Sequence, residues 1–170
     1  MATQWNLDPT HSEITFKVKH MMISNVKGSF TDFSAQIEAD DDTFKNAKTT
    51  ATIKTDSVFT NNTDRDNHLK SAEFFNAEQY PTITFESQTL SDEVTGNLTI
   101  NGITKPVTLD VDFGGVNVDP WGNTKAGFSF EGKISRKDFG LNWNATLEAG
   151  GVLVSDDVKI AGELQFVKQA

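Results

Sequence analysis

Residues 94–113, VTGNLTINGITKPVTLDVDF, alternate between apolar and polar side chains on both sides of the dipeptide Asn101-Gly102. Alternation with a period of two predicts β-strands that bury one face. Asn-Gly is a favoured two-residue hairpin loop, because both residues accept a positive φ. A tight turn there places Ile100 opposite Ile103, and the apolar side chains of both strands then share one face. This agreement predicts an antiparallel hairpin with a defined register.

The same alternation recurs along most of the chain. It is clearest at residues 14–19, 107–113, 126–134 and 158–166, and weaker at 28–38, 48–58, 82–88 and 93–100. Together these stretches predict eight strands, most of about ten residues. Residues 63–72 differ, because Thr63 and Asp66 have the spacing of a capping box and predict a short helix. Long loops are expected at 114–123 and at about 140–157.

Eight antiparallel strands with one apolar face can form either a sandwich or a closed barrel. Closure removes the exposed sheet edges, and an eight-stranded barrel is either filled by side chains or holds one small ligand. Ten residues at ~3.3 Å each give a strand of roughly 33 Å, or about 25 Å of barrel height after tilting. These proportions favour a slot for an elongated guest over a compact core.

The composition bounds the classes of function. The chain has 170 residues, which suits one domain spanning 1–170. Its 24 acidic and 15 basic side chains give a formal net charge of −9, which disfavours binding to nucleic-acid phosphates. The chain contains no cysteine, so disulfides, thiolate metal sites and cysteine nucleophiles are excluded.

The sequence shows no signal peptide and no apolar run of the roughly 18 residues that span a bilayer. We therefore expect a soluble protein that is cytoplasmic as written, or periplasmic if an export signal has been removed. The aromatic residues are unbalanced, with 13 Phe and 3 Trp against one Tyr. Phenylalanine offers large apolar surface without a polar group, so these rings either fill a core or line a cavity.

Few polar residues suggest chemistry. His11 follows Asp8-Pro9-Thr10 and is interpreted as a hydrogen-bonding residue of a turn. The histidines lack the spacing of a metal site such as His-Glu-x-x-His, and no nucleophile, Walker or dinucleotide signature is present. Residues 64–69 form the densest polar cluster, which is either an acid–base or anion-binding group or, as we favour, a structural network. The same two interpretations apply to residues 136–140.

The chain resembles the YceI-like, polyisoprenoid-binding protein family over almost its whole length. The matching motifs are Trp5-x-x-Asp8-Pro9-x-His11-Ser12, Phe16-x-Val18-x-His20-Met21, Gly28-x-Phe30, Arg65-Asp66-x-His68-Leu69-Lys70-Ser71 with Phe74-Phe75, Tyr80-Pro81, Gly96-Asn97-Leu98-Thr99 with Gly102-x-Thr104, Gly127-Phe128, and Arg136-x-Asp138-Phe139-Gly140-Leu141. The resemblance implies an all-β fold, an extended eight-stranded antiparallel lipocalin-like β-barrel. It also implies an interior that holds a polyisoprenoid chain or an isoprenoid quinone tail, in a family not established as enzymatic.

Pattern and resemblance together predict a carrier or sequestering protein for a long isoprenoid lipid, without catalytic residues, metal or cofactor. The partner is that lipid or another long-chain amphiphile, with no nucleic acid and no membrane span; a homodimer is left open. His20, Arg65 and His68 are candidate polar contacts near a mouth. The candidate apolar wall consists of Ile14, Phe16, Val18, Phe30, Ile53, Phe85, Leu98, Ile100, Val107, Leu109, Val111, Phe113, Phe128, Phe130, Leu164 and Phe166.

Two other functions stay open at this point. One is an enzyme acting on a lipophilic substrate with Arg65, Asp66 and His68. This hypothesis requires these three side chains to face a bound ligand. The other is a stress-related interaction module whose barrel is only a scaffold. A solid interior together with an exposed apolar patch would favour that alternative.

Overall fold

A computed structural model describes residues 3–20, 23–44, 46–141 and 154–169, which form mainly one antiparallel sheet. One α-helix, α1 (Thr63–Lys70), interrupts the strand order. The strands are β1 (Thr3–Leu7), β2 (Glu13–His20), β3 (Ser24–Phe30), β4 (Phe33–Ala39), β5 (Lys48–Lys54), β6 (Val58–Phe59), β7 (Thr82–Ser87), β8 (Glu93–Ile100), β9 (Ile103–Val118), β10 (Thr124–Ser135) and β11 (Val154–Lys168).

The sheet closes into a barrel of eight antiparallel strands, which confirms the predicted fold. Three of the eight are bent strands, formed by β1 with β2, β3 with β4 and β5 with β6. The pairing of β1 and β2 with the same edge of β11 closes the barrel. A 3₁₀ turn at Pro9–His11 bends the first strand, and a second at Thr55–Ser57 bends the third.

The hairpin at Asn101-Gly102 has the predicted register. Ile100 pairs with Ile103, and Val94 pairs with Leu109 farther along. Asn101 has a φ of 55° and Gly102 a φ of 74°, as this two-residue loop requires. The local turn chemistry therefore determines how β8 and β9 align.

Two predicted boundaries are wrong. Residues 114–118 belong to β9 and not to a loop, so the connection to β10 is shorter than expected. The alternation fails there because the register between β9 and β10 shifts at Gly127 and Phe128, where β9 carries one extra residue. Strand β1 was not among the predicted strands, since five residues are too few for a clear pattern. Of the second predicted loop, at about 140–157, residues 154–157 belong to β11. Residues 142–153 of that loop and Met21 lie outside the described residues.

The helix is confirmed, but its cap is not the predicted one. Asn62 is the N-cap, and its Oδ1 accepts a hydrogen bond from the Arg65 backbone N–H at 3.0 Å. The Asp66 carboxylate instead accepts from the backbone N–H of Thr60 at 2.8 Å and from the Thr60 hydroxyl. The capping box assigned to Thr63 and Asp66 is therefore wrong, and α1 ends at Lys70.

Apolar side chains plug one end of the barrel. The β4–β5 connection brings Phe44 inside, where it is 2% exposed and its ring centroid lies 5.0 Å from that of Trp5. The ring of Phe128 meets the Phe44 ring edge-on, with 5.1 Å between the centroids. Phe44 has a φ of 61°, which is rare for a bulky residue, so the surrounding rings hold it in a conformation that it would otherwise avoid.

Candidate functional site

The barrel interior contains a cavity of about 530 Å³. This volume lies within the range of small-molecule binding sites. All eight strands of the barrel contribute side chains to the lining, and most of these side chains are apolar. The interior is therefore not a solid core. Of the two possibilities for the many phenylalanines, filling a core or lining a cavity, the structure shows the second.

The structure places fifteen of the sixteen candidate wall residues on this cavity. They are Ile14, Phe16, Val18, Phe30, Ile53, Phe85, Leu98, Ile100, Val107, Leu109, Val111, Phe128, Phe130, Leu164 and Phe166. Their positions follow from the strand alternation, because every second residue of a barrel strand points inward.

Phe113 is the exception and does not line the cavity. Its ring stacks on Phe128 at 5.0 Å and meets Phe44 at 5.4 Å, and it is 40% exposed. It follows the inward residues of β9, but it packs against the Phe44 plug at the closed end. The alternation predicts its direction along the strand, whereas the plug excludes it from the lumen.

Several wall phenylalanines lie across glycines on neighbouring strands. A Cβ atom on Gly96 would meet the ring of Phe85 within 2.5 Å, and one on Gly162 would overlap the ring of Phe130. Each glycine leaves room for the ring to fold against the next strand. These rings therefore cover the wall and leave the centre of the barrel open.

Polar side chains meet the cavity at the end opposite Phe44. We define the polar rim as Lys19, His20, Asp64, Arg65 and His68, all of which line the cavity. Strand β6 ends the sheet order and runs antiparallel to β3, so the chain leaves it toward the His20 end of the barrel. Helix α1 follows directly and supplies three of the five rim residues. The structure therefore brings the three predicted polar contacts, His20, Arg65 and His68, to one cavity end.

The polar side chains of α1 have different hydrogen-bond partners. Arg65 donates from Nε to the Thr60 hydroxyl at 2.8 Å and from Nη2 to the Thr60 carbonyl at 2.6 Å. His68 Nε2 lies 2.5 Å from a Glu73 carboxylate oxygen, and its ring meets Phe74 edge-on at 4.9 Å. Asp66 does not line the cavity, because Thr60 holds it. The hydrogen bonds of the polar cluster thus mainly tie α1 to Thr60, directly after β6, and to Glu73, just after the helix.

Arg136 lines the cavity, although the sequence analysis placed it only in the basic group 136–140 and not among the candidate polar contacts. It is 3% exposed and donates to the carbonyls of Ser155, Leu141 and Val154 at 2.9, 2.6 and 3.3 Å. Burial lowers the pKa of this guanidinium, and Asp156 opposes that shift. Its position after β10 gave no periodic signal, although residues 136–140 stood out as a basic group.

Leu69, Phe74 and Phe75 also line the cavity without having been predicted. They lie on α1 and the segment that follows it, where strand alternation carries no information. The paired phenylalanines were the available signal, since an apolar pair directly after a polar helix requires an apolar surface on which to pack. The alternation therefore identified much of the strand wall, although strand residues such as Val26, Phe33 and Ile83 also line the cavity without having been predicted. It carried no information about the side covered by α1.

His11 has the structural role predicted for it. Its Nδ1 lies 2.9 Å from Asp8 Oδ2 at the bend between β1 and β2. Within the described ranges, no group of three or more His, Asp or Glu side chains could hold a metal ion. Helices long and apolar enough to cross a membrane are likewise absent from these ranges.

Comparison with known proteins identifies the family. The model of the YceI-like domain matches residues 5–166. The UPF0312 protein SA2479 of Staphylococcus aureus strain N315 is 43% identical over 166 residues, which cover 96% of this chain and 97% of that protein.

Solved structures share the same architecture. Burkholderia cenocepacia BcnA superposes with a TM-score of 0.77 at 25% identity, covering 94% of this chain and 98% of BcnA. The Campylobacter jejuni YCEI protein superposes at 0.76 with 39% identity, covering 89% and 90%. A polyisoprenoid binding domain from Saccharophagus degradans superposes at 0.71 with 15% identity, covering 97% and 98%, and shares the fold. The chain therefore belongs to the YceI-like family.

Proposed function

We propose that this protein binds a long isoprenoid-type lipid, a polyprenyl chain or an isoprenoid quinone, inside the barrel and carries or sequesters it without catalysis. The observation that carries the proposal is the cavity of about 530 Å³ inside the barrel, with its apolar wall. The fold shared with the polyisoprenoid binding domain from Saccharophagus degradans supports this class of ligand.

The energetics favour an occupied cavity. A dry void of 530 Å³ would cost on the order of 10 kcal/mol, which is comparable to the whole stability of a typical domain. Each CH₂ group moved from water into the wall contributes about 0.8 kcal/mol. When the lipid is taken from a bilayer instead of from water, this apolar contribution largely cancels, because the lipid leaves one apolar environment for another. The shape of the wall and the polar rim would then determine which lipid is extracted. We assign the contacts with a polar head group to His20, Arg65 and His68.

The two other functions receive less support. Catalysis by Arg65, Asp66 and His68 requires Asp66 to face the ligand, and Thr60 occupies its carboxylate instead. A scaffold without an internal ligand would have a filled interior, and this barrel contains a cavity. Binding in the lumen is therefore the better account of the geometry.

The deciding experiment is organic extraction and mass spectrometry of protein purified without detergent. We expect an isoprenoid lipid near one molecule per chain. Protein freed of lipid should also be stabilised by added polyprenol or quinone. Ligand at 100 times its Kd stabilises by about 2.7 kcal/mol, which corresponds to a rise in Tm of roughly 5–10 °C for a chain of this size.

A matched pair of variants locates the ligand. Ile134→Trp adds bulk on the cavity wall, and Val116→Trp adds it on an exposed site of β9 outside the cavity. Lipid occupancy should fall in the first variant and stay at the wild-type level in the second. Finding no copurified lipid and no stabilisation by polyprenol or quinone would overturn the proposal, as would equal occupancy in both folded variants.

A further inference from the structure

Four lysines form a continuous row across the outer face of the barrel. Lys133 on β10 pairs with Lys159 on β11, Lys159 pairs with Lys17 on β2, and Lys17 pairs with Lys27 on β3. Directly opposed residues in a sheet point to the same face. That face is the outer one, since the adjacent residues of the same strands line the cavity. We call these four residues the lysine row.

The lysine row is costly to the fold. Like charges placed directly opposite each other destabilise a sheet. Lys133 has a partner in Asp157, whose carboxylate lies 3.7 Å from its Nζ. The other three lysines form no ion pair within the described part of the chain. A local arrangement that lowers stability and is only partly compensated within the chain is typical of a functional surface.

The β2–β3 hairpin joins the lysine row to the cavity. Its inner face contributes Val18, His20 and Val26 to the cavity lining, while Lys17 and Lys27 stand on its outer face. Ile23, in the turn between the two strands, is 82% exposed. An exposed apolar side chain at the tip of a hairpin that carries lysines on its outer face is a combination by which peripheral proteins bind anionic bilayers.

An acidic patch lies on the same outer face, farther from the polar rim. Its five carboxylates line a shallow groove and belong to Glu13, Asp110, Asp112, Glu131 and Glu163. Glu131 faces Asp110, and Glu163 faces Glu13, so negative charge is concentrated there as positive charge is in the lysine row. An anionic surface would attract the lysine row and repel this patch. The rim end of the barrel would then turn toward that surface.

We propose that the lysine row and Ile23 bind the surface of an anionic lipid bilayer and present the polar rim to it. This inference rests on the proposed function in one respect: lipid binding in the cavity gives the reason for membrane binding, which is the passage of lipid between membrane and cavity. The charges stand on the outer face whatever the cavity holds. Bilayer binding and lipid occupancy can therefore fail independently.

The test is cosedimentation with vesicles of phosphatidylglycerol and phosphatidylcholine at 1:1, compared with pure phosphatidylcholine. We expect binding to the anionic vesicles only, weakening as salt rises. Lys159→Glu should weaken it at least about fivefold, the effect of one lysine at an anionic surface. Lys48→Glu, the same charge change at an exposed site outside the row, should weaken it less than twofold.

A second pair of variants tests the orientation. Ile23→Ser should weaken vesicle binding several-fold. Trp121→Ser should not, although Trp121 is 83% exposed, because it lies in the β9–β10 connection at the other end of the barrel. Thermal melts would establish that each variant is folded.

Three results would overturn the proposal. They are equal binding to both kinds of vesicle, equal losses in Lys48→Glu and Lys159→Glu, and a loss in Trp121→Ser without one in Ile23→Ser. Light scattering measures whether the chain dimerises through the lysine row instead. A salt-sensitive dimer that Lys159→Glu abolishes, without vesicle binding, would assign the row to a second copy of the chain. Lipid occupancy is measured on the same samples, so that a failure of membrane binding can be distinguished from a failure of the proposed function.

Discussion

Phe16 on β2 stands directly opposite Gly28 on β3, and its ring occupies the space that a Cβ atom on residue 28 would need. The Phe130–Gly162 pair on β10 and β11 repeats this arrangement in register. A ring that folds over a glycine lies along the wall, whereas a ring facing a larger residue would be pushed toward the lumen. The glycines therefore help to keep the cavity open.

Gly28→Ala should destabilise the protein and reduce the cavity. The new methyl group would displace the Phe16 ring, and overpacking of this kind costs about 1–3 kcal/mol. Urea denaturation measures the loss, and lipid occupancy should fall with it. Gly127→Ala is the control, since a Cβ atom there meets nothing within 4 Å. Equal stability of the two variants would contradict the proposed role of the glycine.

Asp66→Asn should loosen helix α1 from the barrel. The carboxylate accepts two hydrogen bonds from Thr60, and a neutral amide would hold them less strongly, by about 1–2 kcal/mol. Hydrogen exchange at the Thr60 amide should accelerate. Asp64→Asn, on the same helix but exposed, should leave that exchange rate unchanged. An Asp66→Asn variant with wild-type exchange and stability would argue against the structural role.

Arg136→Lys should be strongly destabilising despite the retained charge. Three backbone carbonyls share the planar guanidinium, and a single ammonium group cannot reach all of them. We expect a loss of about 3 kcal/mol by urea denaturation. Lys137→Ala next to it removes only an exposed ion pair with Asp156 and should cost less than about 1 kcal/mol. A tolerated Arg136→Lys would show that the carbonyls find other donors.

Acid should weaken the bend between β1 and β2. Hydrogen bonds from the Thr10 hydroxyl, from His11 and from Lys125 lower the pKa of Asp8, although desolvation opposes them. Because the pKa is lower in the folded state, Asp8 contributes stability above the unfolded pKa of about 3.9, and this contribution is lost as pH falls below it.

Asp8→Asn tests this dependence. The variant should be less stable at pH 7, by roughly 1–2 kcal/mol, and should lose less of its stability between pH 5 and pH 2 than the wild type. Urea midpoints across this range provide the comparison. Parallel pH profiles for the two proteins would show that Asp8 does not contribute to the acid sensitivity.

Much of the fold could be predicted because its signals are local. Alternation specifies which residues of a strand face inward, and Asn101-Gly102 specifies the register of β8 and β9. Boundaries failed where non-local contacts intervene. The bulge at Gly114 of β9, opposite Gly127 and Phe128 of β10, interrupts the alternation of β9. The predicted helix cap failed for a more local reason, since Thr60, six residues before Asp66, takes up its carboxylate.

The candidate site divides in the same way. Much of the strand wall followed from alternation, whereas Leu69, Phe74 and Phe75 could not, since the packing of α1 brings them to the cavity. Phe113 has the inward parity of the β9 residues that line the cavity and still lies outside it. The reason is Phe44, a residue some seventy positions earlier in the chain.

By itself, the sequence determined most of the strands, their buried faces and one hairpin, since steric preferences and the period of two act over a few residues. The tertiary structure decided the closure of the barrel through the pairing of β1 with β11, residues some 160 positions apart. It also decided that the phenylalanines surround a cavity, because rings can fold over glycines only when neighbouring strands bring them opposite. The volume left in the lumen depends on this long-range packing.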